Sequence, residues 1–438
     1  YDHSLFGAEM IHRLMKILKW TAIGVGVLAV LILVINAWFV WTTGRRLESK
    51  LAEIRAAGDS TSIAALVRPS IPRERNAATY LHEAAPEAAA IYEKLHAREE
   101  CKDFLFNPTY PVPERVHRAL VEVFKAHPNV LPLLQKAATC PDYQPRLDYQ
   151  ADFKQFCEQL TTAVGEFRDC ARVLCYWSWL KVAEGKRDEA IRNALLIGAL
   201  ADHLDRNPLL MHHLVANILR GIAFDAANYA VQTGPVSEEV RAALIAELVR
   251  SEEVDSWSRA LKNDRAAALA FNFEQFDFWP DRDTWLVGRP LWHWRCLDYL
   301  DAFEAAVPLV ESDRSYREDL SRREATAASL GLFGREIFVP LVNCRLVSLS
   351  LRARIRSLRV VLALQTRGGS QVPKLNELGL PAKATQDPYT GEPLHVKRLP
   401  EGWLVYAVGE DFADDGGKLD GSLPNDVGVG PPLPAKPR

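Results

Sequence analysis

No charged residue occurs between Lys19 and Arg45, and residues 20–41 are apolar apart from Thr21 and Asn36. An α-helix rises about 1.5 Å per residue and needs about 20 residues to cross a hydrocarbon layer about 30 Å thick. The stretch therefore predicts a transmembrane helix over 20–42, preceded by a short tail over 1–19. Trp20, Trp38 and Trp41 stand near its ends, where aromatic belts form. A buried helix of a soluble protein is usually shorter and carries charge, and a cleaved signal peptide has a shorter apolar run with a small-residue cleavage site after it. Neither description fits. Ala22, Gly26 and Ala29 share one helical face, a pattern that lets a partner helix approach closely, although Gly and Ala are common in membrane helices anyway. Asn36 either hydrogen-bonds a neighbouring helix or reaches up to the interface.

Arg13, Lys16 and Lys19 precede the span while Arg45, Arg46 and Lys50 follow it, so the positive-inside rule barely decides the orientation. A short tail and one span fit a signal anchor in the inner (cytoplasmic) membrane, with most of the chain outside the cytoplasm. The 438 residues amount to two or three domains of about 150 residues. A net charge of −3 lacks the basic excess of a nucleic-acid binder. With 48% apolar and 25% charged residues the chain has globular composition. Its seven cysteines are too scattered for a disulfide scaffold. Cys157, Cys170, Cys175 and Cys344 fall in helical patterns; Cys101 and Cys140, in Pro-flanked irregular segments, are the best candidates for a disulfide.

Over 47–335 apolar residues recur at three- and four-residue spacing, which predicts an α-helical body. Pro113 can start a helix carrying Val116, Leu120, Val123 and Phe124 on one face. Ser237 before Glu238 and Glu239 reads as an N-cap with acids in the first turn. Asn207-Pro208 marks a boundary before a long run. The clearest unit is a hairpin: one helix to Val182, a turn at Ala183-Glu184-Gly185-Lys186, and a second helix from Asp188. It resembles the turn of a tetratricopeptide repeat, but no 34-residue period is kept, so an irregular stack of helical hairpins is expected. Between Phe271 and Tyr299 aromatics are dense, with Trp279, Trp285, Trp292 and Trp294 as candidate partner-contact anchors, and Glu274, Asp277, Asp281 and Asp283 are interleaved. Three readings stay open: an interface hot spot, a glycan site with paired carboxylates, or an aromatic mini-core around a long loop.

The period changes after Gln371. Leu394, Val396 and Arg398 alternate with other residues, Pro400-Glu401-Gly402 turns, and Trp403, Val405 and Ala407 alternate again, which is a β-hairpin signal. A helix over about 343–365 precedes it, so 340–423 reads as a small α+β module, with a Pro/Gly-rich extended or disordered tail over 424–438. The long helix, Leu375-Asn376-Glu377-Leu378, Asp387-Pro388-Tyr389-Thr390-Gly391-Glu392-Pro393, Trp403 through Gly409 and Asp414-Asp415-Gly416-Gly417 together resemble the globular end of type II secretion major pseudopilins. Over about 45–417 the chain also resembles a set of uncharacterised bacterial single-pass membrane proteins with a helical body ahead of such a module. Ile71-Pro72-Arg73-Glu74-Arg75-Asn76-Ala77-Ala78 is part of that likeness. The pseudopilin resemblance implies an acidic loop that binds calcium, with Asp414, Asp415 and Asp420 as first candidates and Glu410, Asp411 and Asp426 nearby. True pseudopilins begin with a processed apolar helix bearing a glutamate at its fifth position. Here three cations precede the span, and the body separates span from module, so packing into a pilus core by that mechanism is not expected.

No His-Glu-x-x-His, no Walker A loop, no strand followed by Gly-x-Gly-x-x-Gly and no Gly-x-Ser-x-Gly elbow occurs. His212 and His213 are adjacent and point to different sides of a helix, with His203 nearby, which favours structural or surface roles over metal binding. The sequence thus predicts a mainly α chain and a structural or scaffold subunit of a cell-envelope assembly, contacting membrane lipid and other subunits in a homo- or hetero-oligomer. The alternatives are a secretion- or pilus-associated component docking pseudopilins, and an envelope glycan hydrolase.

Overall fold

The first helix, α1 (His3–Ala56), runs without interruption from the tail through the apolar stretch and into the body. The structure, a computed structural model, describes residues 3–253, 257–271, 288–312, 314–368, 371–419 and 426–434. Side chains along the apolar stretch are exposed, from Trp20 to Trp41, with only a few such as Asn36 and Val40 half-covered. From Leu47 onward α1 changes character: Leu47 is buried, and Leu51 and Ile54 follow it on the same face at helical spacing.

Behind a short connection come α2 (Ala77–His96), α3 (Glu99–Phe106), α4 (Glu114–Ala126) and α5 (Val130–Thr139). Asn76 caps α2 by accepting the Ala78 amide at 3.0 Å, accepts the Gln144 amide at 2.9 Å, and donates from Nδ2 to the Gln144 carbonyl at 3.0 Å. The Ile71–Ala78 motif is thus a structural clasp on the chain around 142–144. The predicted hairpin is present as α6 (Phe153–Ala183) and α7 (Arg187–Asp205). Gly185 adopts φ +78°, and the Lys186 amide reaches back to the Lys181 carbonyl at 2.8 Å, the 6→1 bond of a Schellman turn. Next come α8 (Leu210–Gln232), α9 (Glu238–Glu253), α10 (Trp257–Phe271), α11 (Gly288–Val310), α12 (Tyr316–Ser329) and α13 (Leu332–Arg367). Ser237 caps α9 as its sequence predicts, with Oγ 3.4 Å from the Val240 amide.

The five strands among the described residues are short. β1 (Thr109–Tyr110) pairs in parallel with β5 (Leu433–Pro434). β2 (His395–Leu399), β3 (Gly402–Ala407) and β4 (Val427–Val429) form an antiparallel sheet in that order, with Leu399 opposite Gly402 across the turn. Gly428 is required where β4 crosses β3, because a Cβ there would overlap the Val405 carbonyl oxygen.

Two expectations are redrawn. The division between body and module, placed at 335–340, falls inside α13, and one continuous core runs from Ile63 through Leu358 and Val361 to Val405 and Val429. The module shares that core because α13 is buried on the body side and the sheet side alike. The tail over 424–438 reads from sequence as extended or disordered; its described part, 426–434, is pinned: it supplies β4 to the sheet and β5 to the body, because its backbone finds partners at the free edge of β3 and at β1. Cys101 and Cys140 are both free thiols: Cys101 is wholly buried within α3, and Cys140 sits at the end of α5.

Candidate functional site

The constellation closest to catalytic machinery lies between α7 and α8. His213 Nδ1 is 2.7 Å from Asp205 Oδ1, and Asn217 Nδ2 is 3.0 Å from His213 Nε2. Since the amide can only donate to Nε2, this arrangement puts the ring proton on Nδ1, facing the carboxylate. Asn217 Oδ1 accepts from Arg220 at 3.1 Å, and Arg220 closes the circuit on Asp205 Oδ2 at 2.9 Å and Asp202 Oδ1 at 3.0 Å. An acid-histidine pair normally activates a nucleophile. Here the third position is an amide, and Asp205, His213, Asn217 and Arg220 are all buried. The Trp257 ring sits edge-on over His213 with centroids 4.3 Å apart, and its indole donates to Ser348 on α13. The circuit ties four helices through buried polar groups that pair with one another, Arg220 Nε alone of the guanidinium nitrogens having no hydrogen-bond partner.

His212 faces the other way. It is wholly buried, neither ring nitrogen has a hydrogen-bond partner, and burial, with the Arg68 guanidinium adding, pushes its pKa down to about 3. Arg68 is fixed by the Asn207 side chain at 2.6 Å and the Tyr143 carbonyl at 2.9 Å. His203 is also buried, and burial lowers its pKa. No group of three or more His, Cys, Asp or Glu side chains able to hold a metal occurs among the described residues.

In the C-terminal part, the Asp-Pro-Tyr-Thr-Gly motif is a structural knot. Asp387 is buried, and its carboxylate accepts the amides of Tyr389 at 2.7 Å and Val408 at 2.9 Å. The same turn accepts the Tyr316 and Arg317 amides from the start of α12. In the acidic loop, Asp414 Oδ1 accepts from the Tyr406 hydroxyl and the Gly416 amide, each at 2.9 Å, which together hold its carboxyl below the usual range. Asp426 accepts the Gly417 amide at 2.7 Å, and burial raises its pKa, with the Asp414 and Asp415 charges adding. Asp415 is exposed, and Asp420 lies outside the described residues. The loop gathers carboxylates on backbone amides of its own turn.

The joint at the end of the apolar stretch is where α1 meets α11. A Cβ on Gly44 would lie 3.1 Å from the His293 ring, and Thr43 Oγ1 is 3.1 Å from His293 Nδ1. Leu47, Leu51 and Ile54 cluster with Trp292, Cys296, Leu297 and Leu300. Lys50 pairs with Asp301 and, at 3.1 Å, with Glu304; these partners outweigh its burial and hold its pKa above the ordinary value. Asp59 bridges to Arg265 on α10 at 3.1 Å. Of the predicted contact residues, Ala22, Gly26 and Ala29 are exposed, and a Cβ on Gly26 would meet nothing within 4 Å. Trp292 is half-buried in the joint and Trp294 is 39% exposed beside Phe333. Trp279 and Trp285, like the acids from Glu274 to Asp283, lie outside the described residues. The buried circuit escaped the sequence reading, although His213, Asn217 and Arg220 at i, i+4 and i+7 of an apolar helix were its signal.

Comparison with protein-family models, with curated proteins and with solved structures finds no match.

Proposed function

We propose that this chain is a membrane-anchored structural subunit of a cell-envelope assembly, held in the inner membrane by α1 with its body outside the cytoplasm. The observation that carries the reading is the division of α1. Its apolar stretch, with mean hydropathy 2.6 and no part of it buried, is covered by none of the described residues, while the segment from Thr43 to Ile54 is locked into α11 by packing and ion pairs. Contiguous exposed apolar surface of that size is matched by lipid. The polar constellations of the described body are spent on holding helices together, which supports a role played through contacts.

Solubilisation in mild detergent at native expression, followed by size analysis and mass spectrometry of co-migrating chains, tests the reading. A defined complex larger than the monomer is expected; a lone monomer overturns it and brings the hydrolase alternative forward. A component that docks pseudopilins is the second reading, favoured by the long α13 against the three-stranded antiparallel sheet. Pseudopilins among the co-migrating chains select it.

A further inference from the structure

The joint between α1 and α11 fixes how the body faces the bilayer. His293 is level with Thr43 and Gly44, and Asp301 is level with Arg46 and Lys50, so the two helices run parallel. Helix α13 runs parallel to α11 in turn: Phe333 lies against Trp294 and Asp298, whereas Arg345 binds the Ser312 carbonyl. The N-terminal ends of α11 and α13 therefore both point toward the apolar stretch. At about 1.5 Å per residue, the Gly44 level is only about 4.5 Å along the axis beyond Trp41.

That end of the body is not finished like a water-facing surface. Trp294 is 39% exposed and Leu332 is 63% exposed. Arg289 and Arg335 are exposed at the same end, and the Arg45 guanidinium lies 4.3 Å over the Trp41 ring. Among the described residues, the acids stand farther along the helices than the cations: Glu48 follows Arg45 and Arg46, Glu336 follows Arg335, and Asp301 and Glu304 are engaged by Arg46 and Lys50. Aromatic rings with cations at the level where a hydrocarbon layer ends match the headgroup region of a bilayer, where Trp and Arg are at home.

We propose that this face, formed by Arg289, Trp294, Leu332 and Arg335 around α1, rests on the lipid headgroups, so that the body contacts the membrane a second time beside its span. The occupant is lipid because the span fixes that level; the proposal rests on the spanning reading of α1. In the test, the full chain is reconstituted in bilayers of phosphatidylethanolamine and phosphatidylglycerol. A fluorescent amino acid replaces Trp294, Leu332, Ala29 or Arg398 in turn, and quenching is compared between lipids carrying a nitroxide on the headgroup and at mid-chain. Positions 294 and 332 are expected to be quenched several-fold more by the headgroup nitroxide, position 29 by the mid-chain nitroxide, and position 398 by neither. Unquenched 294 and 332 beside a quenched 29 overturn the footprint and leave the span standing. An unquenched 29 overturns the span, and the footprint with it. These side chains are solvent-exposed, so the label does not load the core; Arg289 replaces either site if a labelled chain misfolds, and an unquenched 289 counts equally against the proposal.

Discussion

Acidification should strain this fold at His212. The ring is neutral, wholly buried and without a hydrogen-bond partner, and its pKa lies at about 3 against an ordinary 6.5. A group that charges more readily unfolded than folded contributes stability in full above 6.5, and that contribution falls as the pH drops toward 3. Between about pH 7.5 and about pH 5 the unfolded ring takes up nearly a full proton and the folded ring almost none, which at about 1.36 kcal/mol per pH unit removes about 2 kcal/mol. Other groups titrate in the same window. Asp264, raised to about 6 by burial, works with the opposite sign, because protonating it relieves the folded state. Comparing the wild type with His212→Leu cancels such shared terms. Chemical unfolding of the full chain in mild detergent, followed by helical circular dichroism, should show the wild type losing about 2 kcal/mol more than the variant over this interval. Equal losses would refute a neutral, desolvated His212 and place a water or a partner against its ring.

Arg220→Met leaves Asp205 and His213 buried with a broken circuit and should cost about 3–5 kcal/mol, read as a fall in the unfolding midpoint. Asp387→Ala strands the amides of Tyr389 and Val408 and should cost about 2–4 kcal/mol, with faster hydrogen exchange in β3 and at the start of α12. Gly44→Leu forces α11 away from α1 and should cost about 1–3 kcal/mol, with limited proteolysis opening the region around α11 first. Asp426→Asn keeps an acceptor for the Gly417 amide and removes a charge beside Asp414 and Asp415, so in chelator it should melt above the wild type. If the loop holds calcium, adding about 1 mM of the ion reverses that order.

Local signals read well wherever the backbone itself must be satisfied. Ser237, Gly185 and the Pro400-Glu401 turn each answer a demand made within a few residues, and each forms where the sequence places it. The apolar stretch was equally legible because a long uncharged apolar run is read from composition alone and depends on no partner. What the sequence concealed was non-local. α13 reads as the start of a separate module because its Leu, Val and Arg pattern looks the same whether one core or two cover it. The partner of β1 is a strand more than 300 positions away, and no local period announces such a pairing. The charges of Asp202, Asp205 and Arg220 resemble solvated helix faces until the fold brings them within about 3 Å. The acidic loop drew attention as a cation site through the pseudopilin resemblance, whereas Asp387, whose carboxylate accepts the Tyr389 and Val408 amides, drew notice only as part of a turn motif.

The unbroken course of α1 makes the chain a geared rod. No hinge separates Trp41 from Thr43, so the small-residue face at Ala22, Gly26 and Ala29 keeps a set angular phase to the body's sheet and helices. One residue inserted at about position 37 advances that phase by about 100° while lifting the body by about 1.5 Å. Two neighbours that meet through those small residues in the membrane would then present different flanks to each other outside it. Insertions of one residue and of seven therefore separate direction from height: the seven-residue insertion nearly restores the phase, within about 20°, and changes chiefly the distance.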